Sequence, residues 1–322
     1  MIEQQTTGTT SHTRWRDLLR LATSVLALAV VVFFLARVLS ANWTQVRQHQ
    51  WQFHWPFLAF SFLSLIGSYL VDIAVWRYAA HHLGGRLPYR RALRLYFAAG
   101  LAKYIPGTVW QFFGWFYLAQ REGISKLVAG TSIVICQSLS ALAGALLALA
   151  AFAMRGSQQV VYQLLPLVLI IPFGLLVLQP RFVAAVLNWG LARIGRQPVS
   201  LDLSFRDLAT VFVLYLGSYL LWGLALFLFA NSLTPLSVQH FAPFLGVFPA
   251  AYALGLLAPF APAGLGVREG VLAYLIGFFV PLPIATVIAL LTRPWMLVVE
   301  ITAGASALIS YARQPRQDSH AG

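Results

Sequence analysis

The chain alternates long apolar runs with short polar stretches, and two of the apolar runs are broken from within. No Asp, Glu, Lys or Arg occurs between Leu208 and Val267. A membrane helix needs about 20 apolar residues, so that stretch must hold several spanning or half-spanning pieces. In order, the runs predict helices over Leu18 to Leu39, Trp55 to Trp76, Leu127 to Met154, Val160 to Leu178, Leu208 to Ala230 and Ile284 to Tyr311. The broken runs lie between them, from Ala92 to Ala119 and from Ala242 to Val280. In the first, Pro106 and Gly107 interrupt KYIPGTVWQFFGWF, Lys103 to Phe116; in the second, Pro259, Pro262, Gly264 and Gly266 interrupt LAPFAPAGLGVREG, Leu257 to Gly270. Proline and glycine free backbone groups that find no partner in lipid, so both breaks are predicted to be sheltered by protein or to line a wet cavity.

Between the two halves, RFVAAVLNWGLARIGR places apolar residues at 182, 183, 186, 187, 191 and 194. That spacing predicts an amphipathic helix lying on the membrane surface. The organisation expected is a disordered cytoplasmic tail over 1–17, a single transmembrane domain over 18–311 and a short tail over 312–322. The domain divides into a first half to residue 178, a surface linker over 179–207 and a second half from 208. The fold class is an all-α polytopic membrane protein, a bundle of about 6–8 transmembrane helices with two Gly/Pro-broken re-entrant segments.

Composition agrees with the pattern. Hydrophobic residues make up 59% of the 322 and charged residues only 10%, against roughly a quarter charged in soluble domains. The net charge of +13 does not point to nucleic acid, because the Lys and Arg residues flank hydrophobic runs instead of forming one basic domain. The single cysteine, Cys136, lies in an apolar run and gives neither a disulfide framework nor a thiolate metal site. His81 and His82 are adjacent and do not share a helix face, so no metal is expected. With no phosphate-binding loop or dinucleotide fingerprint, no cofactor is expected either.

Lys and Arg are plentiful in the N-terminal stretch, around residues 77 to 94, in the 179 to 207 linker and in the C-terminal tail. The 41 to 54 linker holds one, and the 231 to 241 linker none. The rich segments are expected in the cytoplasm of a multi-pass inner (plasma) membrane protein, with both termini cytoplasmic. The two broken runs then enter from opposite faces, as in an inverted repeat. Arg-Glu-Gly follows each break, at Arg121 to Gly123 and at Arg268 to Gly270.

Charges at membrane depth cost at least about 2.5 kcal/mol each, which makes them functional candidates. Asp72, Lys103, Arg121, Glu122, Arg268, Glu269, Arg293 and Glu300 are in this set. Lys103 with Pro106, Gly107 and Trp110, and Gly264 and Gly266 with Arg268, would set two cations beside two half-helix N-termini, a site for an anion such as a phosphate. Asp72, Glu269, Arg293 and Glu300 are read as charge partners. Blander readings also stand: Lys103 snorkelling to an interface, Asp72 paired with Arg77 one turn on, Arg293–Pro294 as a kinked interfacial turn, and the Trp110 to Trp115 stretch as a lipid-contact belt.

KYIPGTVW at Lys103 to Trp110 and PAGLGVREG at Pro262 to Gly270 resemble the two signature regions of the lysylphosphatidylglycerol synthase membrane-domain family, which is often described as flippase-like. The resemblance covers roughly residues 20 to 311. It implies about eight membrane helices with re-entrant pieces, and movement of a modified phospholipid between leaflets. Pro106, Gly107, Gly264, Gly266, Arg268 and Glu269 match the motifs. The soluble aminoacyl-transferase domain of the full-length synthases has no counterpart here. Three functions follow as expectations: a translocase for an anionic or phosphate-bearing envelope lipid, an integral membrane transferase using Asp72 and Glu300 on a lipid-phosphate, and a non-catalytic partner of an envelope-lipid biosynthetic enzyme. A membrane lipid is the expected ligand in each; substrate identity and oligomeric state stay open.

Overall fold

The computed structural model describes residues 36–101, 110–154, 165–193, 203–257 and 266–312, together with 33, 195 and 197. Among the described residues the protein is helical, with no strand. Among the described residues four helices are long and apolar enough to cross a membrane, or five if a bent pair further on counts as one span: α2 (Trp55–His82), α5 (Lys126–Ala153), α8 (Phe205–Leu233) and α12 (Leu282–Ala312). Each answers an apolar run predicted above; the proposed first helix over Leu18 to Leu39 falls largely outside the described residues. Before α2 comes a short helix, α1 (Trp43–Gln48).

Helix ends follow local chemistry. Pro56 sits in the first turn of α2, where its missing N–H costs nothing. The Ser125 hydroxyl accepts from the Val128 N–H to open α5, and Ser204 and Asp207 cap each other reciprocally at the start of α8.

The centre of the fold is the antiparallel pair of α2 and α8. Gln52 and His54 donate their backbone N–H groups to the Leu233 and Ser232 carbonyls. Further along, Ser64 Oγ donates to the Leu221 carbonyl at 2.9 Å, and Tyr78 Oη to Asp207 at 3.1 Å. The α2 face turned inward carries Ser61, Leu65, Ser68 and Asp72; Phe57, Phe60, Leu63, Ile66 and Leu70 form an exposed stripe. Small polar residues let the two backbones approach, while large apolar side chains face outward as they would toward lipid.

Both broken runs are hairpins of half-length helices. The first is α3 (Tyr89–Leu101) with α4 (Trp110–Arg121), the second α10 (Val247–Leu256) with α11 (Val267–Ile276), preceded by the single turn α9 (Phe241–Phe244). At 10 residues each, α10 and α11 reach only about 15 Å, half the hydrocarbon thickness. The legs of each hairpin meet at their base. Arg91 and Glu122 are 3.7 Å apart at the foot of the first, and Phe244 and Phe279 are 5.1 Å apart, ring to ring, at the foot of the second.

These feet lie at opposite ends of the molecule. Near the C-terminal end of α2, Arg77 donates to the Leu87 carbonyl just before α3; at the C-terminal end of α8, Phe227 packs on Phe241 and Phe244. The order long helix, hairpin, long helix therefore occurs twice in opposite directions. The docking is exchanged: α3 packs on α12, the last helix of the second half, and α10 packs on α5, the last helix of the first. Arg94 reaches Ser310 Oγ at 2.8 Å, so the end of α12 lies at the same end of the protein as the basic segment around residues 77 to 94.

Between the halves, a 3-10 turn (Leu165–Leu169) and α6 (Ile170–Val177) pack against α5. Next comes α7 (Pro180–Arg193), which turns by 88° from the preceding segment. That bend sets α7 at nearly a right angle to the segment before it.

Candidate functional site

The site is built around the first turn of α11. Gly266 precedes it with φ +83°, a backbone conformation that glycine adopts readily and side-chain-bearing residues resist. Its N–H donates to Glu269 Oε2 at 2.7 Å. The other carboxylate oxygen of the buried Glu269 accepts from Arg293 Nε of α12. One glutamate thus caps the half-helix and neutralises a cation from a second element. Since α11 is about 15 Å long, this turn lies about half a hydrocarbon thickness from the foot of its hairpin.

Arg268 is turned away from that pair, because successive helix positions differ by roughly 100°. Its guanidinium lies over the Phe248 ring at 4.4 Å, with the Tyr252 ring at 5.9 Å, both on α10. Nη2 approaches Met296 Sδ at 3.6 Å. Among the described residues no carboxylate pairs with Arg268, and its side chain is half-buried. The cation is held mainly by aromatic faces.

Two more of the deep charges, Asp72 on α2 and Glu300 on α12, converge on the same place. Tyr69 donates to Glu300 Oε1. The Asp72 carboxylate accepts from Ser218 Oγ and, at 3.1 Å, from Trp222 Nε1. Trp222 joins the groups: it stacks on Phe248 at 4.2 Å and 8° and meets Tyr69 edge-on at 5.0 Å. Asp72, Glu300 and Arg268 are thereby arranged around a trio of rings, Tyr69, Trp222 and Phe248.

Several sequence readings change. Asp72 does not pair with Arg77, which donates to a backbone carbonyl instead; the inward face of α2 turns Asp72 toward α8. Arg293–Pro294 is no interfacial turn: Pro294 lies inside the continuous α12, and Arg293 is drawn to Glu269. Trp115 is not part of a lipid belt, being buried against Trp76 at 4.7 Å and Tyr96 at 5.6 Å. Gly266, Arg268 and Glu269 come together at one helix start with Arg293, and Asp72 and Glu300 stand across the ring trio from Arg268. Lys103, Pro106, Gly107 and Gly264 lie outside the described residues, as does the side chain of Trp110, which opens α4.

Sequence reasoning missed Tyr69, Ser218, Trp222, Phe248 and Tyr252. Nothing in an uncharged run distinguishes a ring that holds a cation from one that faces lipid. The spacing of Ser61, Ser64, Ser68 and Asp72 was the one available signal, since it marks the face of α2 that Tyr69 adjoins.

The fold and site define an all-α polytopic membrane protein with two opposed helical hairpins and a charge cluster beside the second. The chain belongs to the family of the lysylphosphatidylglycerol synthase TM region, whose model matches residues 19–304. Membership makes it a membrane protein linked to lipid synthesis or translocation. No curated protein matches it significantly.

Proposed function

We propose that the protein is a translocase that carries an anionic or phosphate-bearing lipid headgroup between leaflets while the acyl tails stay in the bilayer. The observation that carries this reading is Arg268, a mid-depth cation without a carboxylate partner among the described residues, set at a hairpin break and held on aromatic faces. An uncompensated charge at that depth is retained only at a cost, and an arriving phosphate would offset it with charge-assisted hydrogen bonds. Glu269 already satisfies Arg293 and the Gly266 N–H, which leaves Arg268, among the described residues, available to a ligand. In this reading the basic end of the molecule faces the cytoplasm. The driving force is a gradient, a coupled ion, or consumption of the lipid on the far side.

The test is transbilayer movement of a headgroup-labelled anionic phospholipid in vesicles containing the purified full chain, followed by an impermeant quencher. Wild type should make the inner-leaflet label accessible, and Arg268→Gln should not, at equal protein content. Equal movement by both proteins would remove Arg268 from the passage.

A further inference from the structure

Three carboxylates lie deep in this bundle, and they are not alike. Glu269 is paired with Arg293, and Glu300 is bound by Tyr69. Among the described residues Asp72 accepts from two neutral donors, the Ser218 hydroxyl and the Trp222 indole N–H. Among the described titratable groups that interact with it are Tyr215 and Tyr219 on α8, Cys136 on α5, Tyr96 on α3 and Tyr252 on α10, all uncharged at neutral pH. Arg268 and Glu300 stand beyond the ring trio. Arg77, the nearest arginine on α2 itself, is engaged with the Leu87 carbonyl. Among the described residues Asp72 has no cation in ion-pair contact.

A desolvated carboxylate with no cation beside it is discharged most directly by a proton. The two donors fit both protonation states. Indole nitrogen is a donor only, so the Trp222 N–H requires an acceptor in either state, and Asp72 Oδ2 serves as one throughout. The Ser218 hydroxyl is a donor and an acceptor. With Asp72 ionised it donates to Oδ1. When a proton arrives on Oδ1, that new O–H donates to Ser218 Oγ, and the serine hydrogen turns to the carbonyl one helical turn back, as helical serines commonly do. The heavy atoms need not move. Asp72 is also half-buried while Ser218 and Trp222 are buried, so the carboxylate is less enclosed than its two donors.

We propose that Asp72 is a proton-binding site at the seam between α2 and α8, and that its loading and release couple lipid translocation to a proton gradient. The coupling rests on the translocase reading above; the proton binding does not. Asp72→Asn copies the neutral carboxylic acid in shape and keeps an acceptor for Trp222 and a donor for Ser218, so the fold is retained.

Two measurements test the proposal. In the first, infrared difference spectra of the detergent-purified full chain are recorded across a neutral pH step. A band of a protonated carboxylic acid should appear as pH falls and be lost in Asp72→Asn, with an unchanged thermal midpoint for the variant. In the second, vesicles carrying the labelled anionic phospholipid are given an inward or outward pH gradient. Wild type should respond to the sign of the gradient, Asp72→Asn should lose the response, and Asp72→Glu should keep it. A wild-type spectrum without the band, or a gradient response surviving in Asp72→Asn, overturns the proposal. A rate that follows a sodium gradient but not the pH gradient overturns it in favour of a metal cation. The band together with a complete lack of lipid movement by wild type would sink the translocase reading while leaving the proton site in place.

Discussion

Arg91 and Glu122 face each other 3.7 Å apart, although a helix, a Pro/Gly break and a second helix separate them in the chain. Their proximity closes the first hairpin at its foot, so the chain enters and leaves at one end. Phe244 and Phe279 do the same for the second hairpin at the other end.

Opposite entry predicts opposite accessibility. In a Cys136→Ala background, cysteines at the exposed positions Arg90 and Val238 should be labelled by an impermeant maleimide from different sides of sealed vesicles. Labelling of both from one side would contradict the hairpin arrangement.

The Glu269–Arg293 pair should matter to stability in a lopsided way. Arg293→Gln leaves the buried Glu269 uncompensated and is expected to cost about 3–5 kcal/mol. Glu269→Gln with Arg293→Gln removes both charges and should cost clearly less, since the glutamine oxygen still accepts from Gly266. Thermal unfolding in detergent, with the double variant compared with each single one, measures the coupling.

Arg268 is expected to behave in the reverse manner. A cation without a carboxylate partner among the described residues contributes little to the fold, so Arg268→Gln should leave the thermal midpoint unchanged or raise it while lipid movement is lost. Such a separation of stability from function is common where a site keeps an unfavourable group for use. A large fall in the midpoint would instead assign Arg268 a structural role.

Close approach of α8 to the elbow before α10 gives a packing test. A Cβ on Gly223 would lie 2.6 Å from the Cα and carbonyl oxygen of Leu245, both backbone atoms. Gly223→Ala should therefore cost about 1–3 kcal/mol. Gly217 on the same helix has nothing within 4 Å, and Gly217→Ala should be neutral or stabilising by up to about 1 kcal/mol. Midpoints measured side by side decide it.

Much of this architecture was legible because hydropathy and backbone chemistry both report depth. The four long helices, the shorter helices that flank each break and the helical stretch α7 follow from where apolar runs start, stop and are interrupted. Rotation about each helix axis was not legible, and the site depends on rotation. Glu269 and Arg268 are neighbours in sequence, yet one turns to Arg293 and the other to Phe248. Asp72 looked one turn from a cation, and the face of α2 that carries it instead meets a serine and an indole 146 and 150 residues away. Apolar side chains on both faces of a membrane helix give no periodic contrast from which to choose.

Exchanged docking also bears on how the protein is made. The ledge that α3 rests on belongs to α12, which is made after every other described helix, so during synthesis the first hairpin must wait for its support. Each half is therefore expected to lean on the other, and cutting the chain between α7 and α8 should yield two fragments that mature only when produced together.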